Sequence, residues 1–292
     1  MHIKTQKNLV IKRTNNKPIV LDIYALDNNQ KKPLVIYCHG YKGFKDWGAN
    51  NLIAHQFALN GIVFLKFNFS HNGGTTEQPI DFPDLDAFAN NTFSKELDDI
   101  DTVLNWVFSE KKFVDVININ NITIIGHSRG AGISIIKAEE DARIQKVVSW
   151  AGVSDFESRF PAGETLLQWK KDGVTYIENS RTKQQMPLSY QLYEDLIKNR
   201  ERLNIQRAAK KLNKPHLIVH GSLDPTVSIT EAQQLHSWSK KSKLEIMEGS
   251  NHVFHALHPW TEQNMPTDLE KVVQKTITFI GSNKLETEFF SH

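Results

Sequence analysis

The sequence has little of what marks several protein classes. One cysteine, Cys38, stands among 292 residues, which excludes an internal disulfide and any cysteine-based zinc site. No stretch approaches the ~20 consecutive apolar residues of a membrane span. The opening "MHIKTQKNLVIKRTNN" has no apolar segment of signal-peptide length, so a cytoplasmic location is expected. Charge of one sign is also missing: 35 Lys and Arg face 33 Asp and Glu, a formal net charge of +2. The basic residues come in pairs such as Lys111-Lys112 and Lys210-Lys211. A phosphate-tracking stripe, and with it a nucleic-acid partner, is not expected. There is no internal repeat and no low-complexity segment. No metal and no cofactor is expected.

What is present is an ordinary supply of core residues, 39% apolar and 23% charged, enough for a sizeable interior. The length fits about two domains, or one α/β domain with an insertion. "NLVIK" and "PIVLDIYALD", separated by Asn15, Asn16 and Lys17, read as an opening antiparallel hairpin. "PLVIYCHG", "GIVFLKFNFS", "ITIIGHS", "KVVSWAG", "HLIVHG" and "KLEIMEG" then read as buried strands, eight runs in all. Near-continuous apolar runs of this kind belong to a sheet covered by helices on both faces. Between them lie helical patterns. Leu97, Ile100, Val103, Leu104, Val107 and Phe108 recur at helical spacing behind a cap at Ser94. "SITE" and "TDLE" place Ser228 with Glu231, and Thr267 with Glu270, as capping boxes. The expected class is therefore α/β, with a doubly wound, mostly parallel eight-stranded sheet. Cys38, inside an apolar run, reads as a small buried strand residue.

One connection is too long for an ordinary crossover: about 60 residues separate "VVSWAG" from "HLIVHG". We expect a helical lid insertion after the sixth strand at 155–209, lying over the carboxyl edge of a core formed by 1–154 and 210–292. "SYQLYEDLIKNRERL" is its clearest helical patch. The polar tail after Gly281 is expected to be loosely held.

The chemistry-bearing stretch is "IIGHSRGAG". Ser128 ends a strand and opens a helix between two glycines, the setting in which G-x-S-x-G raises a hydroxyl for attack rather than merely turning the chain. A serine needs a base. "KLEIMEGSNHVF" puts His252 just past the last strand, at the edge where Ser128 emerges, with His255 and His258 on the same segment. The imidazole needs an orienting carboxylate. "HLIVHGSLDPTV" offers Asp224 after the penultimate strand, where an Asp-Pro turn is the competing role; Asp155 is the next to examine. For an oxyanion hole, "VIYCHGYKGF" supplies the backbone N–H of Tyr41, and the helix start supplies that of Arg129. His39 reads as a brace for its loop. Asp46 reads as a cap for the helix that follows, and Phe44, Trp47, Phe160, Trp169 and Tyr190 as candidate pocket walls.

With "HGYKGF", "GHSRGAG", "HGSLDPTV" and "GSNHVF" in that order, the chain resembles the α/β-hydrolase superfamily from about residue 8 to 280. Within it, the sequence is most similar to lid-bearing bacterial esterases related to cinnamoyl and feruloyl esterases, and to acyl-peptidase-related hydrolases. The resemblance implies Ser128 as nucleophile, His252 as base, Asp224 as its partner, and Tyr41 and Arg129 as oxyanion amides. It also implies an inserted segment that shapes the acyl pocket. Relatives often carry glutamine or methionine where this chain has Arg129, which changes pocket polarity without touching the amide. Dienelactone hydrolases use cysteine as the nucleophile, where this chain has Ser128. The expected function is cleavage of small-molecule carboxylic esters through an acyl-enzyme, with a medium-sized apolar or aromatic acyl group. A peptidase or amidase on the same triad, and a non-catalytic ligand binder, are the alternatives. The sequence leaves open whether chains pair as a homodimer.

Overall fold

The computed structural model describes residues 2–14, 16–28 and 30–281. Among the described residues, ten strands run in chain order. The first six are β1 (Ile3–Ile11), β2 (Ile19–Leu26), β3 (Lys32–Cys38), β4 (Val63–Phe67), β5 (Ile117–His127) and β6 (Lys146–Trp150). They are followed by β7 (Val174–Glu178), β8 (Gln185–Ser189), β9 (His216–Gly221) and β10 (Ser242–Met247). Eight of them form one sheet in the order β1-β2-β4-β3-β5-β6-β9-β10. Only the β1–β2 and β2–β4 pairings are antiparallel; from β4 to β10 every pairing is parallel. The eight apolar runs thus supply the eight core strands.

Side-chain alternation along β3 shows why both faces are dry. Leu34, Ile36 and Cys38 join the core on one side, with the helices Phe93–Ser109, Arg129–Glu140 and Ile229–Trp238. Val35 and Tyr37 join the other, under the helices Asn50–Leu59 and Thr267–Gly281. A parallel strand so enclosed must be apolar at consecutive positions. Cys38 is free and fully buried. No helix among the described residues is long and apolar enough to cross a membrane.

Several local expectations shift. The long helix is capped by Thr92, whose hydroxyl accepts from the Lys95 amide, rather than by Ser94. Ser228 does cap its helix, but the Glu231 carboxylate turns to the Ser154 amide and to Arg159 instead of closing a capping box. Thr267 is the first helical residue rather than the cap before it. The tail after Gly281 lies outside the described residues, as does Asn15 of the opening turn.

The segment 155–209 is mixed rather than helical. Helix Gly163–Asp172 leads into an antiparallel β7–β8 hairpin, followed by helix Gln191–Lys198. The hairpin was hidden because β8, "QMPLS", carries a proline and little alternation, both of which weaken a strand reading. Another helix, Ile205–Lys211, crosses the expected 209/210 boundary and packs on the helix Arg129–Glu140.

Candidate active site

Ser128 sits at the junction of β5 and the helix Arg129–Glu140 with φ 56° and ψ −121°. A non-glycine residue with positive φ is strained and persists only where its surroundings enforce it. Here the flanking glycines do so. A Cβ on Gly126 would lie 2.3 Å from the Gly130 carbonyl oxygen, and one on Gly130 would lie 2.5 Å from the carbonyl oxygens of Cys38 and His39. The Ser128 amide donates to the Trp150 carbonyl at 2.9 Å, and its own carbonyl accepts from Ala131 and Val153. The turn is therefore tied to β6 on one side and to the helix on the other.

Beyond β10, the His252 ring reaches back to this edge. Its Nδ1 lies 2.7 Å from Asp224 Oδ2. A carboxylate only accepts, so Nδ1 carries the proton and Nε2 is left with a free lone pair. Both carboxylate oxygens of Asp224 are engaged. Oδ1 accepts from the Thr226 and Val227 amides at 2.8 and 2.9 Å, forming the turn, while Oδ2 serves the imidazole. Burial alone would raise the Asp224 pKa; hydrogen bonds from His220, His252 and the Val227 amide hold it far below the usual carboxylate range. It thus stands beside the imidazole as an anion. Asp155, by contrast, is exposed and occupied by the Glu157 and Ser158 amides.

Two histidines that sequence reading passed over support the pair. His220, fully buried, has its Nε2 2.9 Å from the Val227 carbonyl and 3.3 Å from Asp224 Oδ2. His127 donates from Nε2 to the His252 carbonyl at 2.9 Å, with ring centroids 4.8 Å apart. Burial first, then the neighbouring His252, pushes His127 down to about 3, so it stands neutral beside the His252 ring. Their positions, each one residue from a strand-end glycine or from the serine, were the only signal available.

Ser128 and His252 line one cavity of about 1000 Å³, together with Tyr41 and Arg129. Among the described residues no hydrogen bond joins the hydroxyl to the imidazole. Arg129 is the first helical residue, so its N–H has no partner within the helix and gains from the positive end of the dipole. Its side chain turns away to Glu96 at 3.0 Å and lies over the Phe93 ring, 4.4 Å from the centroid.

The loop that carries Tyr41 also carries Lys45 and Asp46, which join Asp22 and Lys66 in a cluster of four charges, three of them buried and Asp46 partly so. Asp22 of β2 and Lys66 of β4 are register partners 2.8 Å apart. Lys45 bonds Asp22 at 2.9 Å and Asp46 at 2.5 Å, and Lys66 also bonds Asp46. Asp46 is therefore a member of an ion cluster rather than a helix cap; the helix Asn50–Leu59 starts at Ala49 with no side-chain cap. His39 braces the loop as expected, Nδ1 lying 2.9 Å from the Gly40 carbonyl while Nε2 accepts from the Phe69 amide.

Of the expected wall residues, Trp47, Phe160 and Trp169 do line the cavity. Phe44 does not: it is fully buried with Phe82, Phe88 and Met186. Tyr190 stands behind the wall, edge-on to Trp169 at 5.5 Å. Phe93 and Phe156, stacked at 4.2 Å, complete the aromatic surface. Among the described residues no group of three or more His, Cys, Asp and Glu is placed to hold a metal ion.

A serine on a strained strand–helix turn and a histidine–carboxylate pair after the last strands together characterise a hydrolase fold. The chain belongs to the alpha/beta hydrolase fold family, whose model matches residues 87–256. No curated protein sequence matches it. Among solved structures it is similar to Est1E from Butyrivibrio proteoclasticus with ferulic acid bound, with a TM-score of 0.69 and 18% identity over 93% of this chain and 97% of that one. The esterase domain from a Rhodothermus marinus protein has a TM-score of 0.63 and 14% identity, covering 96% and 98%. Alpha/beta hydrolase domain-containing protein 10 from mouse has a TM-score of 0.67 and 15% identity, covering 93% and 97%. At these identities the likeness is one of fold.

Proposed function

We propose that the protein is a serine hydrolase that cleaves carboxylic esters through an acyl-enzyme. The observation that carries this is the 2.7 Å contact between His252 Nδ1 and Asp224 Oδ2 beside the cavity that Ser128 lines. With Nδ1 protonated, Nε2 takes the Ser128 proton as Oγ attacks the ester carbonyl. The amides of Tyr41 and Arg129 receive the developing oxyanion. His252 then protonates the leaving alcohol, and the same Nε2 activates the water that releases the acid. The wall of Phe93, Phe156, Phe160 and Trp169 suits a medium-sized apolar or aromatic acyl group. The insertion, which supplies Phe160 and Trp169, acts as the lid of that pocket.

A fluorophosphonate probe and p-nitrophenyl butanoate test the reading together. The probe labels the wild-type protein at Ser128 and leaves Ser128→Ala unlabelled. Ester turnover falls at least about 10³-fold in the variant. Aminoacyl p-nitroanilide turnover that rivals ester turnover would favour a peptidase instead, and absence of labelling would favour a non-catalytic binder.

A further inference from the structure

The cavity wall carries one sign of charge. Lys42, Arg129, Arg159 and Arg181 line it, and among the described residues no aspartate or glutamate does. Arg129 is turned toward Glu96. Arg159 and Arg181 pair with Glu231 and Asp81, carboxylates that stand outside the wall. Each guanidinium has five N–H donors, so one such pair leaves others over. Lys42 is different: it is half-buried and has no carboxylate partner among the described residues. Its ammonium lies 5.9 Å from the ring centroid of Tyr41, the residue to whose amide the esterase reading gives the oxyanion. Its backbone is left-handed at φ 55°, so the turn itself fixes where the side chain starts. His258 adds no charge to the wall: burial, then the neighbouring Arg181, lowers its pKa.

An ammonium beside the oxyanion loop favours the developing oxyanion of every ester alike, so it discriminates only through charge the ester already carries, and a cationic ester is repelled. An anionic group is attracted, and more strongly inside a cleft with low-dielectric aromatic walls than on an open surface. We propose that the preferred ester carries a carboxylate or phosphate on its alcohol side, held by Lys42 and Arg181, while the aromatic wall receives the acyl chain. This inference rests on the esterase reading above.

Matched aryl butanoates test it. The wild-type protein should hydrolyse 3-carboxyphenyl butanoate with a kcat/KM at least about fivefold above that of its neutral isostere 3-carbamoylphenyl butanoate, with the preference shrinking as salt rises. Lys42→Met combined with Arg181→Gln should bring the ratio close to one. A 3-phosphonophenyl ester distinguishes the anion: a larger preference for it assigns phosphate, a smaller one carboxylate. A wild-type ratio of one or below, with both esters turned over, overturns this inference and leaves the esterase reading standing. Failure to hydrolyse either ester, with no labelling of Ser128, overturns both.

Discussion

At the scale of single residues, the proposed chemistry depends on which imidazole meets which carboxylate, and that makes Asp224 and His255 informative. Asp224→Asn removes the anion that stabilises an imidazolium and fixes its tautomer. It should leave the fold intact and cut kcat by up to ~10⁴-fold, as loss of this carboxylate does in other triads. A fall of less than tenfold would reassign the acid. His255 offers the opposite control: it is exposed and 3.3 Å from Asp268 at the start of the last helix. His255→Ala should retain ester turnover within about threefold, since surface changes away from a site are usually mild. Ser128, Asp224 and His252 could be singled out as candidates because each follows a strand whose apolar run ends in a small set of loop residues. His220 and His127 were not, because an imidazole inside such a run looks the same whether it packs or supports a neighbour. Phe44 shows the limit from the other side. Its place in the loop suggested a pocket wall, yet only packing against Phe82 and Met186 decides that it faces inward.

Whole elements were read more faithfully than their ends. Strands enclosed on both faces leave a near-continuous apolar run, which made the central strands visible, whereas β1, mostly exposed, was visible only as half of the opening hairpin. The β7–β8 hairpin is partly exposed on both faces and leaves no such trace. The loop after β3 hid its largest feature for a similar reason: Lys45 and Asp46 look like surface charges until β2 and β4 bring Asp22 and Lys66 beneath them. Removing one member strands the others in a dry site, and breaking a buried pair costs about 3–5 kcal/mol. Lys45→Met should therefore lower stability by roughly 3 kcal/mol in urea denaturation. Because this cluster seats the Tyr41 loop, kcat in the surviving folded fraction should fall more than KM rises.

For the molecule as a whole, the same cluster sets an acid limit. Burial alone would raise the Asp46 pKa, but Lys66 and Lys45 bring it down to about 2, from an ordinary value of 3.8. A carboxylate whose folded pKa lies below its unfolded one contributes stability above about pH 4, and that contribution is lost as pH falls through about 2. Linkage puts it at about 2 kcal/mol. Asp46→Asn should accordingly be less stable than wild type at pH 6 by an amount that shrinks steadily toward pH 2, as followed by denaturant midpoints at each pH.

The strand order has a consequence for how the protein matures. Ser128 leaves β5 in the middle of the sheet, whereas His252 follows β10, its outermost strand. Contacts between such distant parts of a chain form late, because loop closure must precede them. During refolding from denaturant, Trp150, buried in central β6, should regain its native fluorescence before the chain becomes reactive toward an organophosphorus reagent. A nascent polypeptide would by the same logic stay chemically inert until its final edge has zipped into place.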